Sequence, residues 1–206
     1  MRIGIIFAME IEKKAFLDMK KNIVFNHDIF IYQSGIGKVN AATTTSNAIL
    51  LDKCELIINC GVAGGINTAN LLDVYYGVEF KYSDVDLSCF TNYEIGQIPK
   101  MPVYYQGVNN SFTFSKAISG KIASQDTFAT SKQKEMFKNY FSDYIAVDME
   151  SCAIAQACYS YNIDFIAIRA ISDLVFKDEN YINYEESENL ACKEAAQALY
   201  ELLVQI

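Results

Sequence analysis

The chain has 206 residues, of which 51% are apolar, enough for one substantial hydrophobic core and too few for two independent domains, so we expect a single domain over residues 1–206. Acidic residues outnumber basic ones by 25 to 17, which gives a net charge of −8. Because such a chain is repelled by phosphate-rich surfaces, we expect neither nucleic acid nor an anionic membrane as its partner.

Short β-branched runs alternate with segments of helical periodicity, a pattern typical of βαβ units and of an α/β fold. The last of these segments carries its leucines and alanines on one face, as an amphipathic helix on a sheet does. In chain order the predicted elements are strand 2–7, helix 9–21, strand 28–33, helix 38–52, strands 55–60, 74–82 and 120–124, helix 131–140, strand 144–147, helix 150–161, strand 164–171 and helix 185–204.

The cysteines and the amino terminus indicate where the protein works. Six cysteines form no CxxC pair and His27 is the single histidine, so we expect neither a structural metal site nor a disulfide framework. Glu10 and Glu12 interrupt the first apolar run too early for a signal peptide, and no apolar run is long enough to span a membrane. We therefore expect a cytoplasmic protein.

Three of the predicted strands run directly into acidic side chains. These are Glu10 and Glu12 after the first strand, Asp148 and Glu150 after the sixth, and Asp173 after the last. Because the carboxyl ends of parallel strands meet at one edge of a sheet, where open α/β folds bind ligands, the pattern predicts one crevice lined by carboxylates. The alternative for each acid alone is a helix cap or a charge in a first helical turn.

Two glycine-rich segments, 34–40 and 60–65, each follow a predicted strand and are interpreted as loops. Neither satisfies the dinucleotide fingerprint or the phosphate-loop motif. Their glycines would allow close approach of the backbone to a ligand, and tight packing is an equally good explanation.

Taken together, five segments resemble the signature segments of the 5′-methylthioadenosine/S-adenosylhomocysteine nucleosidases, in the nucleoside phosphorylase superfamily. They are residues 3–12, 34–38, 57–65, 146–150 and 168–173, and the similarity runs from Met1 to the last helix. The resemblance implies a single-domain, three-layer nucleoside phosphorylase-like α/β fold with a mixed central β-sheet flanked by helices. It also implies a homodimer that uses water, without a cofactor, to cleave the bond between adenine and a 5′-thio-substituted ribose.

The resemblance assigns Asp173 as the general acid that protonates the purine and Glu12 as the base that activates water. Breaking an N-glycosidic bond builds positive charge on the sugar and negative charge on the base, so the two carboxyl groups must hold opposite protonation states. Asp173 therefore needs burial or a hydrogen bond that raises its pKa. The plain alternatives are a helix cap for Asp173 and a solvated helix-face charge for Glu12.

The remaining contacts implied by the resemblance divide between sugar, purine and 5′ substituent. Glu150 would bind the ribose hydroxyls, beside Met149, and Phe128 would stack on adenine while the Ala129 backbone reads the amine edge. Arg169 and Ser172 would support the water and the acid. The other implied contacts are Met9, Ile36 and Val62, Leu87 and Phe90 at the sulfur end, Tyr184 as a closing residue, and the segment around Pro99 near the neighbouring subunit's pocket.

The sequence departs from the family pattern at Val62, Asp148 and Ala129. Val62 stands where a small hydroxyl residue is common and Asp148 where Glu is commoner, so polar groups near the ribose are removed or shortened. Ala129 stands where a larger aliphatic side chain is usual. The segment from Asp18 to Gln33 is also short, which predicts a trimmed hairpin.

Two other functions compete with hydrolysis. A phosphorylase needs arginines around the first strand and the glycine loop, yet no arginine lies between Arg2 and Arg169. A non-catalytic nucleoside-binding protein would have little reason to carry both Glu12 and Asp173. At this point the 5′ substituent stays open among methylthioadenosine, S-adenosylhomocysteine, 5′-deoxyadenosine and aminofutalosine-type nucleosides.

Overall fold

The computed structural model describes residues 1–19, 25–108, 112–177 and 184–206, without the side chains of residues 184 and 185. The strands are β1 (Arg2–Phe7), β2 (Asp28–Gln33), β3 (Leu56–Gly65), β4 (Val74–Tyr82), β5 (Tyr105–Gln106), β6 (Ile118–Ser124), β7 (Ala146–Asp148) and β8 (Asp164–Leu174). The helices are α1 (Glu10–Met19), α2 (Lys38–Leu50), α3 (Lys134–Tyr140), α4 (Ser151–Tyr161) and α5 (Tyr184–Leu203), with a 3-10 turn at Ser131–Gln133.

Every predicted strand and helix has a counterpart in the structure, with ends that differ by a few residues. Residues 20 and 21 of the first predicted helix lie outside the described residues, as do residues 20–24 of the segment expected to be a trimmed hairpin. The helix predicted at 131–140 is divided into the 3-10 turn and α3. β5 was not predicted, because two residues are too few for a periodic pattern.

The glycine-rich segment 60–65 is not a loop, as the sequence suggested, but the second half of β3. A Cβ atom on Gly61 would overlap the Glu12 carboxylate, and one on Gly65 would lie 2.8 Å from side-chain carbons of both Ile171 and Leu174. These glycines therefore serve close packing between neighbouring elements. β8 likewise extends past its predicted end, so that Asp173 lies inside the strand and does not cap a helix.

The sheet is mixed and closes on itself. β2, β1, β3 and β8 are parallel neighbours in that order. β8 then pairs antiparallel with β4, β4 pairs parallel with β6, and β6 pairs parallel with β7. β7 returns to pair antiparallel with the last two residues of β3. β3, β8, β4, β6 and β7 thus form a closed ring, which β1 and β2 extend on one side.

Helices cover both faces of this sheet, in the three-layer arrangement that the resemblance implied. Ile57 belongs to an apolar cluster with residues of α2 and α4, whereas its neighbour Ile58 belongs to a cluster with residues of α1 and α5. Successive side chains of a strand point to opposite faces, so burial on both sides explains the continuous apolar run of β3. None of the helices in the described ranges combines the length and apolar composition needed to cross a bilayer.

The acidic strand ends converge, although not in the way the parallel-sheet argument predicted. β1 and β8 are parallel to β3, but β7 is antiparallel to it. β7 nevertheless pairs with the carboxyl-terminal end of β3, at Gly64 and Gly65, so the residues that follow β7 lie beside the upper part of β3. Ring closure, rather than common strand direction, brings Glu150 to the other acids.

We predict that Gly65→Ala destabilises the protein by about 1–3 kcal/mol, because the added methyl group is forced against Ile171 and Leu174. The measurement is the free energy of unfolding in urea. The control is Ser119→Ala, an exposed strand position, where the change should stay within about 0.5 kcal/mol. Equal unfolding midpoints for the two variants would contradict the packing explanation.

Candidate active site

One cleft, partly open to solvent, gathers most of the residues that the sequence singled out. Ten predicted contact residues line it: Met9, Glu12, Ile36, Val62, Phe128, Ala129, Met149, Glu150, Ser172 and Asp173. The sequence did not single out as contacts the other lining residues, Ala8, Ala63, Gly64, Thr127, Val147, Asp148 and Val175.

Glu12 is held at the base of the cleft by three backbone N–H groups. The amides of Ala8 and Met9 donate to Oε2, both at 2.9 Å, and the amide of Val62 donates to Oε1 at 3.0 Å. The side chain is only 4% exposed, so it is not a solvated helix-face charge. Burial raises its pKa, while the positive charge of Arg169 and the three hydrogen bonds act in the opposite direction.

Asp173 lies in β8, beside Gly64 of β3. The Ser172 hydroxyl donates to Oδ1 at 2.9 Å, and Oδ2 accepts no hydrogen bond from the described residues. Burial raises the pKa of Asp173 and outweighs the opposing effect of the Ser172 hydroxyl. The raised pKa favours the neutral acid, the form that can donate a proton.

Glu12 and Asp173 face one cavity at different levels of β3. Glu12 is bonded to Val62, whereas Asp173 pairs with Gly64, two residues further along. Two residues of a strand span about 7 Å. The two carboxyl groups therefore reach the same cleft from different positions along β3.

Glu150 is anchored from one side only. The amide of Gly37 donates to Oε1 at 2.8 Å, and Oε2 accepts no hydrogen bond from the described residues. Gly37 has φ 101°, a conformation that favours glycine, so the loop can turn its N–H toward the acid. Burial, and next the negative charge of Asp148, raise the pKa of Glu150 to about 7.

Arg169 lies behind the cleft and does not line it, although the resemblance gave it a role near the water. It is 1% exposed and forms an ion pair with Asp148, with Nε 2.8 Å from Oδ2. One of its terminal nitrogens donates to the Ile168 carbonyl at 3.1 Å and the other to the Asn59 side chain. Since all three nitrogens have protein partners, Arg169 acts on the cleft through its charge.

Three further predicted contacts are not gathered into the cleft. Leu87 and Phe90 do not line it, and the Phe90 side chain is 59% exposed. The side chain of Tyr184 lies outside the described residues. Asp148 lines the cleft, as the acidic strand ends predicted, although the resemblance did not give it a contact, whereas the apolar Val147 and Val175 carried no signal in the sequence.

The charge of the cleft is one-sided. Its lining, within the described part of the chain, includes the carboxyl groups of Glu12, Asp148, Glu150 and Asp173 and no lysine, arginine or histidine. No group of three or more potential metal ligands occurs among the described residues. The arrangement therefore suits proton transfer and the stabilisation of a developing positive charge.

The chain is similar to known proteins over nearly its whole length. A model of the phosphorylase superfamily matches residues 9–204. A 5′-methylthioadenosine/S-adenosylhomocysteine nucleosidase of Staphylococcus carnosus is 35% identical over an alignment of 226 residues that covers 98% of both chains. A nucleosidase of the same name from Listeria monocytogenes is 36% identical and covers 98% of this chain and 99% of its own.

Solved structures give the same relationship. A putative nucleosidase of the same name from Borrelia burgdorferi, bound to adenine, has a TM-score of 0.87 and 30% identity, over 99% of this chain and all of its own. The enzyme from Neisseria meningitidis, in complex with methylthio-immucillin-A, has a TM-score of 0.89 and 28% identity, over 100% of this chain and 99% of its own. The chain therefore belongs to the 5′-methylthioadenosine/S-adenosylhomocysteine nucleosidase family of the phosphorylase superfamily.

Proposed function

We propose that this protein hydrolyses the N-glycosidic bond of 5′-methylthioadenosine and S-adenosylhomocysteine, releasing adenine and the thioribose. The observation that carries the proposal is that Glu12 and Asp173 line one cleft together with Glu150 and Phe128. A proton donor, a base and groups suited to sugar and purine are thereby present around a single substrate-sized space.

Asp173 protonates the departing base. Its raised pKa keeps the carboxyl group neutral to higher pH than an exposed aspartate, so a proton is available for the imidazole ring of the purine. The bond from adenine to C1 of the sugar then breaks with both electrons leaving on the base. Adenine leaves as a neutral molecule, and Asp173 is left as a carboxylate.

Glu12 activates the water that replaces adenine. Three backbone N–H groups fix the orientation of its carboxylate and stabilise the ionised form, which a base requires. As the water oxygen bonds to C1, its proton passes to Glu12. The negative charges of Glu12 and Glu150 stabilise the cationic sugar that forms between the two events.

The rest of the cleft binds the nucleoside. Oε2 of Glu150 accepts hydrogen bonds from the ribose hydroxyls, while the Gly37 amide holds the other oxygen. Met149 lies along the sugar, Phe128 stacks on the purine, and the Ala129 backbone contacts its amine edge. The Phe128 side chain is 51% exposed, so its ring face is available to a ligand rather than consumed by the core.

The charge of the cleft favours water over phosphate as the nucleophile. A phosphate dianion would meet four carboxyl groups without a lining cation among the described residues. Arg169, the nearest guanidinium, already has a partner for each nitrogen. Water carries no charge and is not excluded in this way.

The decisive experiment is incubation with each nucleoside in phosphate-free buffer, with adenine and the sugar product followed by chromatography. We expect adenine and the free thioribose in equal amounts, at a rate that added phosphate does not increase. Cleavage that requires phosphate and yields a sugar phosphate would refute the hydrolytic proposal.

We predict that Asp173→Asn lowers kcat by about 10³-fold, because an amide is not acidic enough to transfer a proton to the purine, while KM changes by less than about fivefold. Steady-state kinetics of adenine release provide the measurement. Asp164→Asn, an exposed position at the other end of the same strand, is the matched control and should behave as wild type. Equal kcat values for the two variants would remove the assignment of Asp173.

We predict that KM rises as the pH falls below about 7, because Glu150 then becomes protonated and loses the negative charge that makes it a strong acceptor for the ribose hydroxyls. The increase in KM should approach about tenfold per pH unit, because the ionised fraction of Glu150 falls about tenfold per pH unit below its pKa. KM measured between pH 5 and pH 8 tests this. Glu150→Gln should have a higher KM than wild type at pH 8 and a shallower pH dependence, whereas identical profiles would contradict the role.

We also propose a cytoplasmic homodimer in which the segment around Pro99 lies near the neighbouring subunit's pocket. Two observations support it: Leu87 and Phe90 do not line the cleft of their own chain, and Phe90 is exposed. All six cysteines are free, as expected in a reducing compartment. Sedimentation equilibrium tests the assembly, and a monomer at micromolar concentration would overturn it.

A further inference from the structure

The span that carries Phe128 and Ala129 is a loop between β6 and the 3-10 turn, so its position over the cleft needs a separate support. Phe128 is half exposed and Ala129 is partly buried at the edge of an apolar cluster. Neither contributes much packing of its own. The support comes from the residue that immediately follows β6, Gln125.

Gln125 is completely buried, and both the nitrogen and the oxygen of its side-chain amide are hydrogen-bonded. Its Nε2 donates to the Thr127 carbonyl at 2.7 Å, and its Oε1 accepts from the Ser83 hydroxyl at 2.9 Å and from Gln133 Nε2 at 3.2 Å. The backbone amide of Gln125 also donates to the Asp148 carbonyl at 3.0 Å. One side chain thus joins the end of β4, the loop and the 3-10 turn.

The carboxyl-terminal end of the span, at Thr130, is bonded to Gln125 through Gln133. Gln133 Oε1 accepts from the Thr130 amide at 3.0 Å, and the Gln133 amide donates back to the Thr130 carbonyl at 3.0 Å. Gln133 Nε2 then reaches Gln125. The two residues between Thr127 and Thr130 are therefore held from both sides by one pair of glutamines.

We propose that Gln125 is a positioning residue for purine binding: it fixes the Thr127–Thr130 span so that the Phe128 ring and the Ala129 backbone meet the base. This inference rests on the proposed function, because it assumes that the purine lies against Phe128. Gln125 does not line the cleft and acts only through the loop. The partners of a buried amide are costly to leave unpaired, and two of the three bonds of Gln125 hold the ends of the Thr127–Thr130 span, so its loss should loosen that span.

The kinetic consequence differs from that of losing a catalytic group. The contact between Phe128 and the purine exists both in the bound substrate and in the transition state, so weakening it raises KM and spares kcat. A purely structural defect would lower the melting temperature without raising KM selectively over kcat.

The test is Gln125→Met, which keeps the length of the side chain and removes all three polar contacts. We expect KM for methylthioadenosine to rise about tenfold with kcat within about twofold of wild type, and the Kd for adenine, measured by calorimetry, to rise in parallel. The matched control is Gln205→Met. Gln205 also bonds a backbone carbonyl and amide, those of Thr113, at 2.8 Å each, but it is exposed and does not line the cleft.

If Gln125→Met fails to fold, Gln133→Met removes the second arm of the relay from a partly exposed position, and a KM increase of about threefold is expected. An unchanged KM in the folded variant, or a loss of kcat without a change in KM, overturns the inference. If wild-type protein itself releases no adenine from methylthioadenosine, the proposed function fails instead, so the two failures are distinguishable.

Discussion

The structure of the cleft depends on the buried ion pair between Arg169 and Asp148. Asp148 binds the Arg169 Nε at 2.8 Å and also accepts from the Ser124 hydroxyl at 2.6 Å and from the amide of Ser151 at 3.2 Å. It therefore ties β8 to β6 and to the first turn of α4, directly beside Glu150. Removing either partner would leave an uncompensated charge in the interior, which costs about 3–5 kcal/mol. Asp148, which stands where a longer Glu is commoner in the family, thus has a structural role in the site. Its ion pair with Arg169 fixes the positions of the residues around it.

One cation among several acids sets the electrostatics of the reaction. Arg169 is influenced by Asp148, Glu150 and Glu12, so its single positive charge cannot neutralise all three. Burial is the largest cause of the raised pKa of both Glu12 and Glu150, and at Glu150 the negative charges of Asp148 and Glu12 add to it. An excess of negative charge is unfavourable in the resting protein and favourable once the sugar becomes cationic. In the proposed mechanism the cleft therefore favours the cationic transition state over the neutral nucleoside.

The sequence predicted the regular elements and the acids of the cleft better than the tertiary contacts between distant segments. Apolar periodicity located the strands, and acids at strand ends marked Glu12, Glu150 and Asp173, because both signals are local. The second half of β3 was missed because its glycines are typical of a loop. The structure shows their reason: the Glu12 carboxylate occupies the space that a side chain on Gly61 would need. The position of Arg169 behind the cleft was missed because it depends on Asp148, a partner 21 residues away. Tertiary contacts decided both features.

The two ends of the cleft are held by different kinds of contact. Glu12 is bonded to backbone amides beside β1 and β3 and Asp173 lies within β8, and in the proposed mechanism a small displacement of either group would change its distance to C1 and the rate. In the proposed binding mode the purine lies against a loop that is held by the side chains of Gln125 and Gln133 rather than by strand hydrogen bonds. Contacts with the purine contribute equally before and during bond cleavage. Weakening them should therefore lower the affinity for the nucleoside and change the rate of bond cleavage little. The positions of the groups next to the bonds that form and break must be the most exact, and those groups lie in or beside the strands.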